Sequence, residues 1–111
     1  MKPAQPAIDL DAMHASAANA CALLKLLANP DRLLLMCQLS QGEMTVGALE
    51  QQLGIRQPTL SQQLTVLREH RVVATRREGK HIYYSVASPQ ALAVMTVLYQ
   101  QFCSSDHSEA T

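Results

Sequence analysis

The chain has no tryptophan, and only 16% of its 111 residues are charged. Its three cysteines, Cys21, Cys37 and Cys103, stand far apart with no C-x-x-C pair. That removes both a zinc ribbon and a thioredoxin-type redox motif. Met1–Lys2–Pro3 is followed by no apolar segment, so no secretory signal is expected. No run approaches the roughly 18 apolar residues of a membrane helix. The expected location is the cytoplasm, where cysteines begin as thiols. A glycine-rich phosphate loop is missing, and His14, His70, His81 and His107 are scattered with no nucleophile–base spacing. Neither an enzyme nor a bound cofactor is expected.

What is present is unevenly placed. Apolar residues make up 48% of the chain, and with so little charge some apolar surface calls for a covering partner. A homo-oligomer is the expectation, because one domain of this length builds only a modest core. The net charge is zero, yet six of the nine basic residues lie between positions 56 and 81: Arg56, Arg68, Arg71, Arg76, Arg77 and Lys80. Only Glu69 and Glu78 oppose them in that stretch. An asymmetry of this kind draws a polyanion to one face.

Residues 1–7, with two prolines, read as a disordered start, and 104–111 as a flexible tail, flanking one domain over 8–103. From Ile8 to Ala28 the Ala- and Leu-rich sequence favours a helix. Leu10, Met13, Ala17, Cys21, Leu24 and Ala28 form its apolar stripe, in which Cys21 reads as a packing residue. "NPDR" starts a second helix: Asn29 caps, Pro30 suits the first turn and Asp31 faces the positive end of the dipole. Thr45 caps a short third helix that ends at Gly54, and a fourth begins near Gln57–Pro58. "VVATRR" and "HIYYSV", around Glu78–Gly79, form a β-hairpin with a basic tip. Ser88 caps a last helix to about Cys103 that is apolar almost all round, so it must be buried on more than one side.

This order is mainly α with a β-hairpin wing: a winged helix–turn–helix, with the first and last helices left to make a dimer. In that architecture the second helix of the turn enters the major groove of double-stranded DNA, its N-terminal residues nearest the bases. In "RQPTLSQQLTVLREH", Leu60, Leu64 and Leu67 anchor one face, while amides and hydroxyls occupy the other. Gln57, Thr59, Ser61 and Gln62 are candidates for base contact, and Arg56 for phosphate or base. Arg76, Arg77, Lys80 and His81 belong to the wing, where phosphate or minor-groove contacts are expected. The plainer alternative is a winged helix that serves only protein–protein contact, its polar face merely solvated.

The stretches "LLKLLANPDRLLLMCQL", "MTVGALEQQLGIRQPTLSQQLTVLREHRVV" and "GKHIYYSV" resemble the ArsR family of bacterial winged-helix repressors, over residues 23 to 86. The resemblance implies a dimeric operator binder joined through its first and last helices. Two positions depart from the family. Arg56 stands where Ser is common, exchanging a better cap for a phosphate contact. Arg71 stands where Gly is common, so the helix ending either avoids a left-handed residue or accepts about 1 kcal/mol of strain.

Many relatives bind metal through a cysteine pair in the third helix, in a pattern like E-L-C-V-C-D-L. Here Glu43–Met44–Thr45–Val46–Gly47–Ala48–Leu49 has no cysteine, and no Asp, Glu or His lies between Pro89 and Phe102. The metal alternative is reduced to Cys103 with Asp106 and His107, spaced for one helix face. Cys37 and Cys103 read from their stripes as two thiols pointing inward, which on their own are ordinary packing residues. One cysteine on the second helix and one ending the last is, however, the pattern of the BigR-type subgroup. That resemblance implies a dithiol that reacts with persulfides or oxidants, becomes bridged and releases DNA.

Overall fold

The computed structural model describes residues 7–103, so the expectations for 1–6 and for 104–111 lie outside the described residues. In chain order the elements are α1 (Leu10–Leu27), α2 (Pro30–Leu39), β1 (Met44–Thr45), α3 (Val46–Leu53) and α4 (Thr59–Glu69). β2 (Val73–Glu78), β3 (His81–Val86) and α5 (Pro89–Phe102) follow. This is the winged helix–turn–helix expected from the sequence.

Local signals set most boundaries. The side chain of Asn29 accepts from the Arg32 N–H, that of Thr45 from Ala48 and that of Ser88 from Ala91, at 3.0 to 3.2 Å. Each satisfies an amide that the first helical turn would otherwise leave without a partner. Gly54 ends α3 in the left-handed conformation at φ 71°. Arg71, past the end of α4, takes φ 61°, so the chain accepts the strained alternative at this turn.

The core lies where α2, α3, α4 and the wing meet. Leu35, Met36, Leu49, Leu60, Leu64 and Leu67 are essentially inaccessible, and Val72, Val73, Ala91 and Met95 close the cluster. At about 1.5–3 kcal/mol for each large aliphatic side chain removed from water, the three α4 leucines hold that helix firmly. No buried polar or charged residue occurs among the described residues.

One finding differs from the sequence reading. The hairpin is one part of a three-stranded antiparallel sheet of order β1-β3-β2, because Met44 and Thr45 pair with Tyr84 and Tyr83. A two-residue strand has no periodicity to reveal it. The α1 stripe, on a helix the sequence left for a dimer, is open in the single chain: Leu10, Met13 and Leu24 are 57–69% exposed, and Cys21 is exposed as well. Cys21 is therefore not a packing residue of this chain's own core. Only Leu26 and Leu27, at the C-terminal end of α1, are buried. No helix among the described residues is long and apolar enough to cross a membrane.

Candidate DNA interface and thiol site

Because α4 buries Leu60, Leu64 and Leu67, the residues between them turn outward. Ser61 and Gln62 are exposed, and Thr59 is half-buried at the helix start. Pro58, at the cap position, makes no side-chain cap bond. The carbonyl of the Gln57 side chain supplies it instead, accepting from the Ser61 N–H at 3.1 Å. Gln57 thus spends its acceptor on the helix and keeps its amide N–H groups for other partners. The Thr65 hydroxyl donates to the Ser61 carbonyl at 2.8 Å, one turn along the same outward face. Thr65 extends that surface, and its i+4 spacing from Ser61 could have singled it out.

The far side of α4 is tied to the rest of the chain through Arg32. Its Nε donates to the Leu26 carbonyl at the end of α1, and a second guanidinium nitrogen to the Gln63 side chain at 2.9 Å. Gln63 is thereby withdrawn from the reading face, although the sequence shows it beside Gln62 as an equal.

The expected basic residues are not equivalent. Arg56 in the turn, and Arg77, Lys80 and His81 on the wing, are exposed, and no ion pair engages them among the described residues. The His81 and Tyr83 rings meet edge to face at 6.4 Å between centroids. Arg76 differs from its neighbours, because its guanidinium is already taken by Glu43 and Glu78. Nothing near position 43 in the sequence announces that pairing.

The second candidate site joins two distant thiols. Cys37 on α2 and Cys103, capping the end of α5, line one cavity of about 330 Å³ with Leu33, Leu34, Met95, Leu98, Tyr99 and Phe102. Cys37 is half-buried as expected, whereas Cys103 is exposed, because α5 ends just before it. All three cysteines are free. Burial raises the Cys37 pKa above its ordinary value, and negative charge on Cys103 raises it further. The apolar wall disfavours the thiolate, the second thiolate repels it, and both effects keep Cys37 protonated. The described residues include no cluster of three potential metal ligands. The Asp106 and His107 of the metal alternative lie outside them.

A leucine-anchored helix with a polar outward face, flanked by a basic hairpin, defines a winged-helix DNA-binding regulator. Comparison with known proteins makes the class specific. Residues 29–75 match the family described as "Bacterial regulatory protein, arsR family". The chain is 52% identical to the biofilm growth-associated repressor of Agrobacterium fabrum, over 91% of this chain and 86% of that one. The crystal structure of the transcriptional repressor BigR from Xylella fastidiosa superimposes with a TM-score of 0.81 at 47% identity, covering 87% of this chain and 99% of that one. Reduced HlyU from Vibrio cholerae gives 0.79 at 36%, covering 83% and 97%. The chain belongs to the ArsR family. It is a transcriptional repressor of the BigR type rather than an enzyme.

Proposed function

We propose that the chain binds an operator duplex as a cytoplasmic homodimer and releases it when Cys37 and Cys103 become linked. The observation that carries this reading is that two thiols far apart in sequence line the same small apolar cavity. Arg56, Gln57, Thr59, Ser61 and Gln62 meet the bases and nearby backbone in the major groove, and Arg77, Lys80 and His81 meet the flanking phosphates. The partner chain covers the exposed apolar residues of α1 and α5, among them Leu10, Met13, Val97 and Phe102.

The inducer is a persulfide, R–S–SH. A cysteine thiolate attacks the terminal sulfur and displaces R–S⁻, leaving Cys–S–SH. The second cysteine thiolate then attacks the inner sulfur and expels HS⁻, which closes a disulfide. If the second cysteine has itself been persulfidated, the same displacement leaves a trisulfide. In both cases the persulfide is the oxidant: closing the disulfide releases the transferred sulfur as HS⁻, and closing the trisulfide releases one of two transferred sulfurs as HS⁻ and keeps the other in the bridge. Bridging draws the end of α5 toward α2. In a dimer joined through α5 this resets the separation of the two α4 helices, which must match half-sites about one helical turn apart.

Mass spectrometry of the reduced protein after persulfide exposure tests the reading, with DNA affinity measured on the same samples at fixed salt. A Cys37–Cys103 linkage that appears as affinity falls supports it. Unlinked cysteines with unchanged affinity would remove both thiols from the switch.

A further inference from the structure

Arg76 lies across the wing in a way that no neighbouring cation shares. In the register of the sheet, Arg76 pairs with Tyr83 and Glu78 with His81, so these four side chains share one face. The Arg76 guanidinium carbon sits 4.5 Å from the centre of the Tyr83 ring. Nε donates to both carboxylate oxygens of Glu43, at 3.1 and 3.0 Å, and one terminal nitrogen reaches Glu43 Oε1 as well. The other terminal nitrogen donates to Glu78 at 2.8 Å. Glu43 stands just before β1, so the arginine spans the middle strand to reach it. One cation is thus held by two carboxylates and an aromatic face.

We propose that Glu43 withholds Arg76 from DNA and thereby lowers sequence-independent binding. A carboxylate gripping a guanidinium through Nε and a terminal nitrogen uses the donors that a phosphate would use. Any duplex that recruits Arg76 must first displace Glu43, and it then brings its own negative charge against that freed carboxylate. The wing meets phosphate through Arg77, Lys80 and His81, and discrimination is left to the bases read by α4. The pairing also holds the Glu43 carboxyl below its usual pKa, chiefly through the hydrogen bonds from Arg76, so the carboxylate is charged whenever DNA is bound near neutrality. Half of the Arg76 side chain is exposed and 36% of that of Glu43. A pair so open to solvent contributes little to folding, and its removal leaves the wing intact.

The test compares reduced full-length protein with E43Q, R76Q, the double variant E43Q/R76Q and R77Q, on mixed-sequence duplex DNA across a range of salt. It also uses a duplex selected by the wild-type protein from a random pool. Each phosphate neutralised steepens the log–log salt dependence by about 0.9. We expect E43Q to steepen by that amount for each chain bound, to tighten on mixed-sequence DNA, and to lose selectivity for the chosen duplex. The double variant should return to the wild-type slope, R76Q should leave that slope unchanged, and R77Q should flatten it. Flattening by R76Q alone would show that Arg76 already meets phosphate in the wild type. An unchanged slope in E43Q would show that the freed guanidinium does not reach the duplex. Either result overturns the proposal.

Discussion

The helices α4, of 11 residues, and α5, of 14, each carry an apolar inner face, but they end in different states. In α4 the three leucines of the buried face are shut away, and the exposed residues, Ser61, Gln62, Thr65, Arg68 and Glu69, are all polar or charged. In α5 only Ala91 and Met95 are buried, and Leu92, Val97, Tyr99 and Phe102 keep 40–78% of their surface. One helix is satisfied by the chain it belongs to; the other is not. The proposed DNA-reading face is complete within a single chain, whereas the helix ending at Cys103 leaves apolar surface open to solvent. In the proposed dimer, a chain divided this way would alter how two copies meet without unfolding the reader.

Breaking the finished side of this comparison should have the largest effect. Leu64→Ala removes a side chain left with 1% of its surface at the centre of the cluster. It should cost about 2–5 kcal/mol of folding stability, read from urea denaturation, and take DNA binding with it. On the unfinished side, Val97→Asp should leave monomer stability within about 0.5 kcal/mol, because the site is open in the single chain. The same change should convert a dimer to a monomer by light scattering. An intact dimer would show that the partner surface lies elsewhere.

The polar half of α4 offers a finer contrast. Gln62→Ala on a selected operator duplex should weaken binding by about 1–3 kcal/mol and relax preference at one base position, read by competition with single-base variants. The same substitution at Gln63, whose side chain is held by Arg32, should act on orientation instead and weaken every sequence alike. The smallest effect concerns the thiols. Burial opposes ionisation of Cys37, so its alkylation in a Cys103→Ser background should be slower near neutral pH than that of an unshielded cysteine. Its rate should climb only as pH rises past the ordinary thiol range, because the raised pKa moves the thiolate to higher pH. A profile matching a simple thiol would mean that the cavity wall does not shield it.

Much of this was legible beforehand, and the exceptions have a common cause. Asn29, Thr45 and Ser88 announced helix starts because a cap acts over three residues. Leu60, Leu64 and Leu67 announced a buried face because helical periodicity is local. The pairing of Met44–Thr45 with Tyr83–Tyr84, the hold of Glu43 on Arg76, and the withdrawal of Gln63 by Arg32 each join residues more than thirty positions apart. No pattern along the chain encodes such meetings. For the α1 stripe with Cys21, periodicity shows that a face is apolar, but not which molecule covers it. For the thiols, sequence resemblance singled out the pair, and the fold then placed both on one cavity.

The two-residue strand β1 carries a mechanical consequence. A hairpin alone is a marginal ribbon, free to swing about its root. Pairing β1 with β3 welds that root to the residue before α3, and so to the whole helix–turn–helix. Each chain then offers DNA a single stiff jaw, its wing and reading helix at a fixed angle. In the proposed dimer, two such jaws would form a caliper adjusted by the gap between them. The proposed thiol chemistry would then not need to touch the jaws to open the instrument; it would have only to turn the screw.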